Sequence, residues 1–269
     1  MNAKILFTDL DGTLLNDQKE ITSGNQQAID EALAKGHKIV ISTGRPLASA
    51  RIQAARLGLD REGCYAITYN GGQIYDFFHR KTLYGRPLPI ELITPVFMAA
   101  YEAGLHIHTY SSTQVLSERE TPELLEYAST TLMQYQIVEH IAEALEEPPY
   151  KMIVISLSHD RLLAFQEELL QHYPDELDCF FSSDILLEIV PKGISKGFAV
   201  HWMCRYLGIP LENSVAAGDA QNDIPMLEAA QVGAVMRNAF PGIAEHGTYV
   251  TEADNNHDGI AEVIRRFIL

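Results

Sequence analysis

The hydrophobic positions near the start of the chain alternate between short continuous runs and helical spacing. Ile5–Leu10 and Lys38–Ser42 are nearly continuous apolar runs, which are typical of strands that are buried on both faces. The stretch between them carries apolar residues on one helical face and ends at Gly36, a residue suited to a helix C-terminus. One further helix and two further strands are predicted: Pro46–Leu57, Tyr65–Tyr69 and Gln73–Phe77. This alternation predicts a parallel sheet with helices on both faces.

The pattern becomes more polar between about Gly85 and Asp184 and then returns to its first form. The middle region predicts helices Pro89–Ala103, Pro122–Leu145 and Arg161–Tyr173, and strands Leu105–Tyr110, Gln114–Leu116, Met152–Leu157, Cys179–Ser182 and Leu186–Val190. The last region predicts a helix that begins near Ser195, strand Ser214–Ala217, helix Ile224–Ala230, strand Val232–Met236 and a final helix around Val263. We therefore predict one α/β core, residues 1–84 and 186–269, interrupted by an inserted α/β domain, residues 85–185.

Composition and charge exclude several classes of function. The chain has 269 residues with 20 Lys or Arg and 36 Asp or Glu, which gives a net charge of −16. This charge argues against nucleic acid or an anionic membrane as a partner, because both select basic surfaces. Cys64, Cys179 and Cys204 are few and far apart, which fits packing roles in a reducing compartment. The sequence shows neither a signal-peptide pattern nor an apolar run of about 18 residues, so we expect a cytoplasmic protein.

Polar residues lie at the ends of the predicted strands of the core. They form four groups: Asp9-Leu10-Asp11-Gly12-Thr13, Thr43-Gly44-Arg45, Asn70-Gly71-Gly72 and Gly218-Asp219-Ala220-Gln221-Asn222-Asp223. Lys196 begins the helix just before the last of these strands. Because ligands bind beyond the carboxyl ends of parallel strands, we expect these groups to share one crevice. Clustered carboxylates repel one another unless a cation compensates, and hard oxygen ligands suit Mg²⁺. The sequence therefore predicts a site for metal-assisted phosphoryl transfer.

These motifs resemble those of the haloacid dehalogenase-like (HAD) phosphohydrolases. Their order, DLDGT, STGR, SKG and GDAQND, with a large insertion between STGR and SKG, is similar to the Cof-type branch, in which a Rossmann-like core carries a C2-type cap. Many members of the family have Gly or Ser and then a variable residue where this chain has Ala220-Gln221. Both positions are spacers between ligands, so this departure leaves the expected site unchanged.

The resemblance implies a role for each matching residue. Asp9 would be the nucleophile that forms an aspartyl-phosphate, and Asp11 would be the general acid and then the base. The phosphate would be bound by Leu10, Thr43, Gly44, Lys196 and Asn222. The Mg²⁺ would be held by Asp9, Asp11, Asp219 and Asp223, with Asp11 contributing its backbone carbonyl and Asp223 in or near the outer shell.

The implied activity is that of an Mg²⁺-dependent phosphatase acting on small phosphomonoesters such as sugar phosphates, with a cap that closes over the site and selects the leaving group. A phosphotransferase or phosphomutase of the same superfamily is an alternative, because it would share every core residue. A non-catalytic regulatory protein that binds a phosphorylated ligand is a second alternative, although binding alone needs no Asp11. A phosphatase of nucleic acid would need a basic cap, whereas Glu139–Glu147 is acidic.

The carboxylates and Thr43 also have structural explanations. Asp9 and Asp11 could be turn formers at a strand end. Asp219 and Asp223 could cap the helix that follows them, and Thr43 could cap helix Pro46–Leu57.

The basic residues, Asn70 and the histidines have structural explanations as well. Lys196 would begin a helix, where a cation opposes the helix dipole, so a nearby anion is the better explanation; Lys192 is interpreted as a surface residue. Arg45 is interpreted as the partner of an acidic neighbour, and Asn70 first as a turn residue and second as a phosphate or cap contact. His106 and His108 share one face of a strand, where two imidazoles without a third ligand favour a structural role over zinc.

Overall fold

A computed structural model describes residues 3–131 and 133–269. Met1, Asn2 and Leu132 lie outside this part, and Leu132 falls within the predicted helix Pro122–Leu145. The contacts divide the chain into two units, of which the first comprises the chain up to Tyr84 together with Ser195–Leu269 and the second comprises Gly85–Ile194. In the described part of the chain, no helix has the length and apolar character needed to cross a bilayer.

The first segment of the chain shows the predicted alternation of strands and helices. Its elements are β1 (Ile5–Thr8), α1 (Ser23–Ala34), β2 (Lys38–Ser42), α2 (Leu47–Arg56), β3 (Cys64–Thr68), β4 (Gln73–Asp76) and β5 (Lys81–Gly85). Helix α1 is followed by Gly36 with a left-handed φ of 84°, as expected for a helix C-terminus. Helix α2 begins one residue later than predicted, because Pro46 occupies its cap position. Strand β5 was not predicted, since its residues are exposed or half-buried and form no apolar run.

The inserted unit differs from the prediction most in two places, beyond shifts of a few residues at the ends of its elements. Its elements are α3 (Ile93–Glu102), β6 (His106–Tyr110), β7 (Val115–Ser117), α4 (Pro122–Thr131), β8 (Tyr135–Ile137), α5 (Ile141–Ala144), β9 (Met152–Ile155), α6 (His159–His172), β10 (Leu177–Ser183) and β11 (Leu186–Pro191). The single predicted helix Pro122–Leu145 is wrong, because β8 separates α4 from α5 and pairs with β7. The predicted boundary at residue 186 is also too early, because β11 pairs with both β10 and β9.

The chain then returns to the first unit. The remaining elements are α7 (Lys196–Leu207), β12 (Ser214–Gly218), α8 (Ile224–Ala229), β13 (Val232–Val235), β14 (Tyr249–Val250) and α9 (Gly259–Val263), which continues into the π-helical turn Ile264–Ile268. Helix α7 begins as predicted, with the Ser195 Oγ accepting a hydrogen bond from the Phe198 N–H at 3.1 Å.

The described strands of the first unit form one sheet in the order β14-β13-β12-β1-β2-β3-β4-β5. Strand β1 pairs in parallel with β2 on one side and with β12 on the other, whereas β4 runs antiparallel to β3. Residues of α1 and α9, such as Ile29 and Ile260, belong to one apolar cluster, and residues of α7 and α8, such as Val200 and Leu227, belong to another. The predicted α/β fold, a parallel-rich sheet between helices, is confirmed.

The inserted unit has its own sheet and its own core. Its described strands lie in the order β10-β11-β9-β6-β7-β8, and most of the pairs are antiparallel. Phe97 of α3 and Phe165 of α6 belong to the same apolar cluster as Ile107 of β6. His106 and His108 lie on the opposite face of β6 from Ile107, because side chains alternate along a strand.

Candidate active site

The candidate site lies at the carboxyl ends of β1 and β12, next to each other in the sheet. Asp9 directly follows β1, and Asp219 directly follows β12. The pairing continues past the end of β1, since the Asp9 N–H donates to the Ala217 carbonyl at 3.0 Å. Two of the predicted polar groups are therefore brought together by the parallel register of adjacent strands.

Asp9, Asp219 and Asp223 form a buried cluster of carboxylates. One oxygen of each lies within 4.8 Å of the others, and their exposed fractions are 8%, 5% and 0%. Burial, together with the neighbouring carboxylates, raises the pKa of Asp9 well above its usual value, and burial raises the pKa of Asp219 to about 6. Carboxylate oxygens gathered at this spacing could hold a divalent metal ion.

Lys196 is the buried cation of this cluster. Its Nζ donates to the Asp9 Oδ1 at 2.6 Å and to the Asp223 Oδ1 at 2.5 Å. Burial by itself would lower the pKa of Lys196, but the two carboxylates outweigh burial and raise it, so the side chain is an ammonium at neutral pH. The expected nearby anion is therefore present. Lys192, by contrast, pairs with Asp178 at 2.9 Å and is 45% exposed in its side chain, in agreement with a surface role.

Asp223 holds the loop after β12 together. Its Oδ2 accepts hydrogen bonds from the backbone N–H groups of Asp219 and Ala220, both at 3.0 Å. Although Asp223 precedes α8, its side chain makes no cap hydrogen bond to that helix, so the capping interpretation is wrong for this carboxylate. Asp219 is held from the other side, because the Thr13 Oγ1 donates to its Oδ1 at 2.6 Å.

The Asp11 carboxylate lies against two cations. Arg45 donates to both of its oxygens, from Nε and from Nη2 at 2.8 Å each, and the Lys19 Nζ donates to Oδ1 at 2.8 Å. Burial would raise the pKa of Asp11, but hydrogen bonds and charge from these two residues outweigh burial and lower it. Arg45 thus has the acidic partner that the sequence suggested. Lys19 was missed, since an exposed lysine in a turn carries no recognisable signal.

The remaining predicted residues lie on the loops after β1, β2 and β12. Leu10 is fully buried, so only its backbone could face a ligand. Thr43 follows β2, and its Oγ1 accepts from the Arg45 N–H at 3.2 Å instead of capping α2, so the capping interpretation of Thr43 is wrong. Asn222 donates from Nδ2 to the Asn70 Oδ1 at 3.2 Å, a contact that the sequence did not predict. Gly44 packs against the same Asn70 side chain, because a Cβ at Gly44 would lie 3.1 Å from its Nδ2.

The sheet, the buried carboxylates and the embedded lysine define a hydrolase of the α/β phosphohydrolase class. The chain belongs to the haloacid dehalogenase-like hydrolase family, whose profile matches residues 6–264. The resemblance of the four motifs is therefore confirmed.

Curated and solved relatives agree with this assignment. The chain is 30% identical over 237 residues to the HMP-PP phosphatase of Yersinia pseudotuberculosis (strain IP32953), covering 88% of this chain and 85% of the relative. Among solved structures, a haloacid dehalogenase-like hydrolase from Bacteroides thetaiotaomicron has a TM-score of 0.88 at 28% identity, covering 98% of this chain and 99% of the other. TM0651 from Thermotoga maritima has a TM-score of 0.83 at 28% identity, covering 98% and 97%. The protein is thus a phosphatase of the HAD family.

Proposed function

We propose that this phosphatase depends on Mg²⁺ and hydrolyses small phosphomonoesters through an aspartyl-phosphate on Asp9. The observation that supports this most strongly is the arrangement of Asp9 at the end of β1, with Oδ1 held by Lys196 and with Asp219 and Asp223 close by. A carboxylate that is held in this way is aimed at a phosphorus atom, and phosphoryl transfer is catalysed mainly by positioning and by electrostatic stabilisation.

The donor set fits Mg²⁺ in both chemistry and charge. Three carboxylates and one ammonium have a formal charge of 1 − 3 = −2, which a divalent cation balances. Asp9 and Asp219 would hold the ion with the backbone carbonyl of Asp11 and with Asp223 in or near the outer shell, while the Asp11 side chain stays outside the cluster. When bound, Mg²⁺ supplies positive charge that offsets the charge on the phosphoryl oxygens. Lys196 supplies a second positive charge from the protein itself.

The reaction proceeds in two steps. An oxygen of Asp9 attacks phosphorus, the bond to the leaving oxygen breaks, and Asp11 gives that oxygen a proton. Water then attacks the aspartyl-phosphate and passes a proton to Asp11, which releases phosphate and restores Asp9. Arg45 and Lys19 favour the ionised Asp11 that the second step requires. In the first step Asp11 carries the proton that it gives to the leaving oxygen. The protonated oxygen no longer accepts one of the hydrogen bonds from Arg45 or Lys19.

The substrate phosphate is held in this proposal by backbone groups and by three side chains: Leu10, Thr43, Gly44, Lys196 and Asn222. Thr43 and Gly44 follow β2, which neighbours β1, and Asn222 lies between two residues of the carboxylate cluster. We propose a small phosphorylated metabolite such as a sugar phosphate as the substrate. A net charge of −16 disfavours polyanions, whereas Lys196 and a divalent ion offset the charge of one phosphate locally.

The test is phosphate release from p-nitrophenyl phosphate by the wild type and by Asp9→Asn. The substitution removes the nucleophile but leaves the shape of the side chain and the ion pair between Lys196 and Asp223, so we expect turnover to be abolished with a nearly unchanged thermal midpoint. Asp30→Asn, at an exposed carboxylate that pairs with Arg61, is the matched control and should keep full activity. Turnover by Asp9→Asn would overturn the nucleophile assignment.

The metal and the substrate class have their own measurements. EDTA should stop turnover and added Mg²⁺ should restore it, and undiminished turnover in EDTA would overturn the metal requirement. Release assays across sugar, nucleotide and cofactor phosphates then rank substrates by kcat/KM, and we expect sugar phosphates or related small metabolites to rank first.

A further inference from the structure

Asn70 lies in an unusual turn between β3 and β4. Tyr69, Asn70 and Gly71 all have positive φ, at 50°, 55° and 113°, although two of the three carry a Cβ. A left-handed backbone is unfavourable for a residue with a side chain, and for tyrosine it is a clear outlier. A strained conformation of this kind persists only where the surrounding structure holds it in place.

The surroundings of the turn are the loops of the candidate site. The Asn70 N–H donates to the Thr43 carbonyl at 3.1 Å, and the Tyr69 N–H donates to the Arg45 carbonyl at 3.2 Å. On the other side, a Cβ at Gly71 would collide with the Ser195 carbonyl, just before Lys196. The turn is thus wedged between the loop after β2 and the start of α7.

The Asn70 side chain points inward, which a turn role alone does not require. It is 1% exposed, whereas a turn asparagine usually faces water. Its Oδ1 accepts a hydrogen bond from the Asn222 Nδ2 at 3.2 Å, and its amide packs against Gly44. A primary amide has two N–H groups in one plane, so holding one of them fixes the direction of the other.

We infer that Asn70 is a positioning residue for the substrate phosphate, which acts by fixing the orientation of the Asn222 amide. This inference rests on the proposed function, in which Asn222 and Gly44 contact the phosphate. Asn70 holds both of these groups through one side chain, and the strained turn places that side chain at the junction of the two loops. The inference extends the site to a fourth strand end of the sheet, that of β3.

The test is a double-mutant cycle of Asn70→Gly and Asn222→Ala. Glycine adopts a φ of 55° freely, so Asn70→Gly removes the amide without adding backbone strain. We expect each single variant to lower kcat/KM for p-nitrophenyl phosphate about tenfold, and to weaken the binding of inorganic phosphate by a similar factor. The kcat/KM of the double variant should be no lower than that of the less active single variant, because both changes remove the same contact.

Controls separate this role from a purely structural one. Arg80→Gly removes an exposed residue whose φ of 52° matches that of Asn70, and it should leave kcat/KM unchanged. Asn70→Ser also lacks the amide but can bond its own backbone in a turn, so it gives the same readout if the glycine variant folds poorly.

Three outcomes would overturn the inference. Full activity of the Asn70 variants, or losses that multiply in the double variant, would show that Asn70 does not act through Asn222. If Asp9→Asn still abolishes turnover, either result leaves the proposed function intact. A wild type whose turnover does not depend on Asp9 would overturn the proposed function and this inference together.

Discussion

Two glycines of this chain share one backbone conformation but have different surroundings. Gly12 has a φ of 85° and Gly36 a φ of 84°, so a side chain would be strained at both. A Cβ at Gly12 would lie 2.5 Å from the Asp219 Oδ2, whereas one at Gly36 would meet no atom of the described residues within 4 Å. The two positions therefore separate the conformational need for glycine from the need for space beside the buried Asp219 carboxylate.

We predict different outcomes for Gly12→Ala and Gly36→Ala. Gly36→Ala should lose about 1 kcal/mol of unfolding free energy in urea, because alanine disfavours positive φ, and Gly12→Ala should lose more, because its Cβ would lie 2.5 Å from the Asp219 Oδ2. Only Gly12→Ala should also displace Asp219, and we expect its kcat/KM for p-nitrophenyl phosphate to fall by at least tenfold. Equal activity of the two variants would contradict the close approach of Gly12 to Asp219.

Lys196 and Lys192 form a second matched pair. Lys196→Met would leave Asp9 and Asp223 buried without their cation, and removing one partner of a buried ion pair typically costs about 3–5 kcal/mol. Lys192→Met removes an exposed ion pair with Asp178, for which the typical loss is below about 1 kcal/mol. Urea unfolding in EDTA at neutral pH measures both losses. The account of the cluster fails if Lys196→Met unfolds at the same urea concentration as Lys192→Met.

At the scale of single residues, the sequence predicted the groups that stand in motifs and missed those that act through tertiary contacts. Asp9 and Asp219 lie at the ends of predicted strands and Lys196 at the start of a predicted helix, so the predicted α/β fold already places them at one edge of the sheet. Lys19 reaches Asp11 because a tight turn folds it back, with the Lys19 N–H donating to the Asn16 carbonyl at 2.9 Å. The contact between Asn70 and Asn222 joins residues that are 152 positions apart, and no local pattern reveals it.

At the scale of elements, β6 illustrates how a strand can bury two titratable groups. His106 and His108 are 6% and 0% exposed, and the His106 Nε2 lies 3.0 Å from the His108 Nδ1. Burial lowers the pKa of His106 to about 4 and that of His108 well below its usual value. Both are therefore neutral in the folded protein at pH values where histidines of the unfolded chain are charged.

We predict that this pair makes the protein less stable in acid. A lowered folded pKa means that the unfolded chain binds more protons below about pH 6.5, so stability is present above that pH and is lost towards pH 4. For His106 the loss amounts to roughly 3 kcal/mol across this range. The unfolding free energy of the double variant His106→Gln/His108→Gln should depend less on pH than that of the wild type. His172→Gln, at an exposed histidine, is the matched substitution that leaves both buried histidines in place, and a double variant with the same pH dependence as His172→Gln would contradict the assignment.

The elements that the sequence failed to predict share a physical cause. Strand β5 is exposed or half-buried along its whole length, and β8 has two exposed residues out of three. Neither has the apolar run by which β1 and β2 are recognised, because each lies at one edge of its sheet. In the predicted helix Pro122–Leu145, β8 pairs with β7, and this tertiary contact overrides the helical pattern.

At the scale of the whole molecule, an acidic protein acts on an acidic ligand. The net charge is −16, of which the carboxylate cluster with Lys196 accounts for −2. The rest of the charge lies elsewhere in the chain, so the local balance at the site, and not the total, decides whether one phosphate is accepted. The sequence also predicted that one unit is inserted within the other, and the chain returns to the first unit after Ile194.

The most direct test of the proposal is to find the phosphoryl group on Asp9 during turnover. Asp11→Asn lacks the base for the second step, while p-nitrophenolate leaves without a proton, so the aspartyl-phosphate should accumulate in this variant with Mg²⁺. After an acid quench, mass spectrometry of the peptides should place one phosphoryl group on Asp9, and none when Asp9→Asn is added. Phosphate on a different residue, or on none while the wild type turns over, would contradict the proposal.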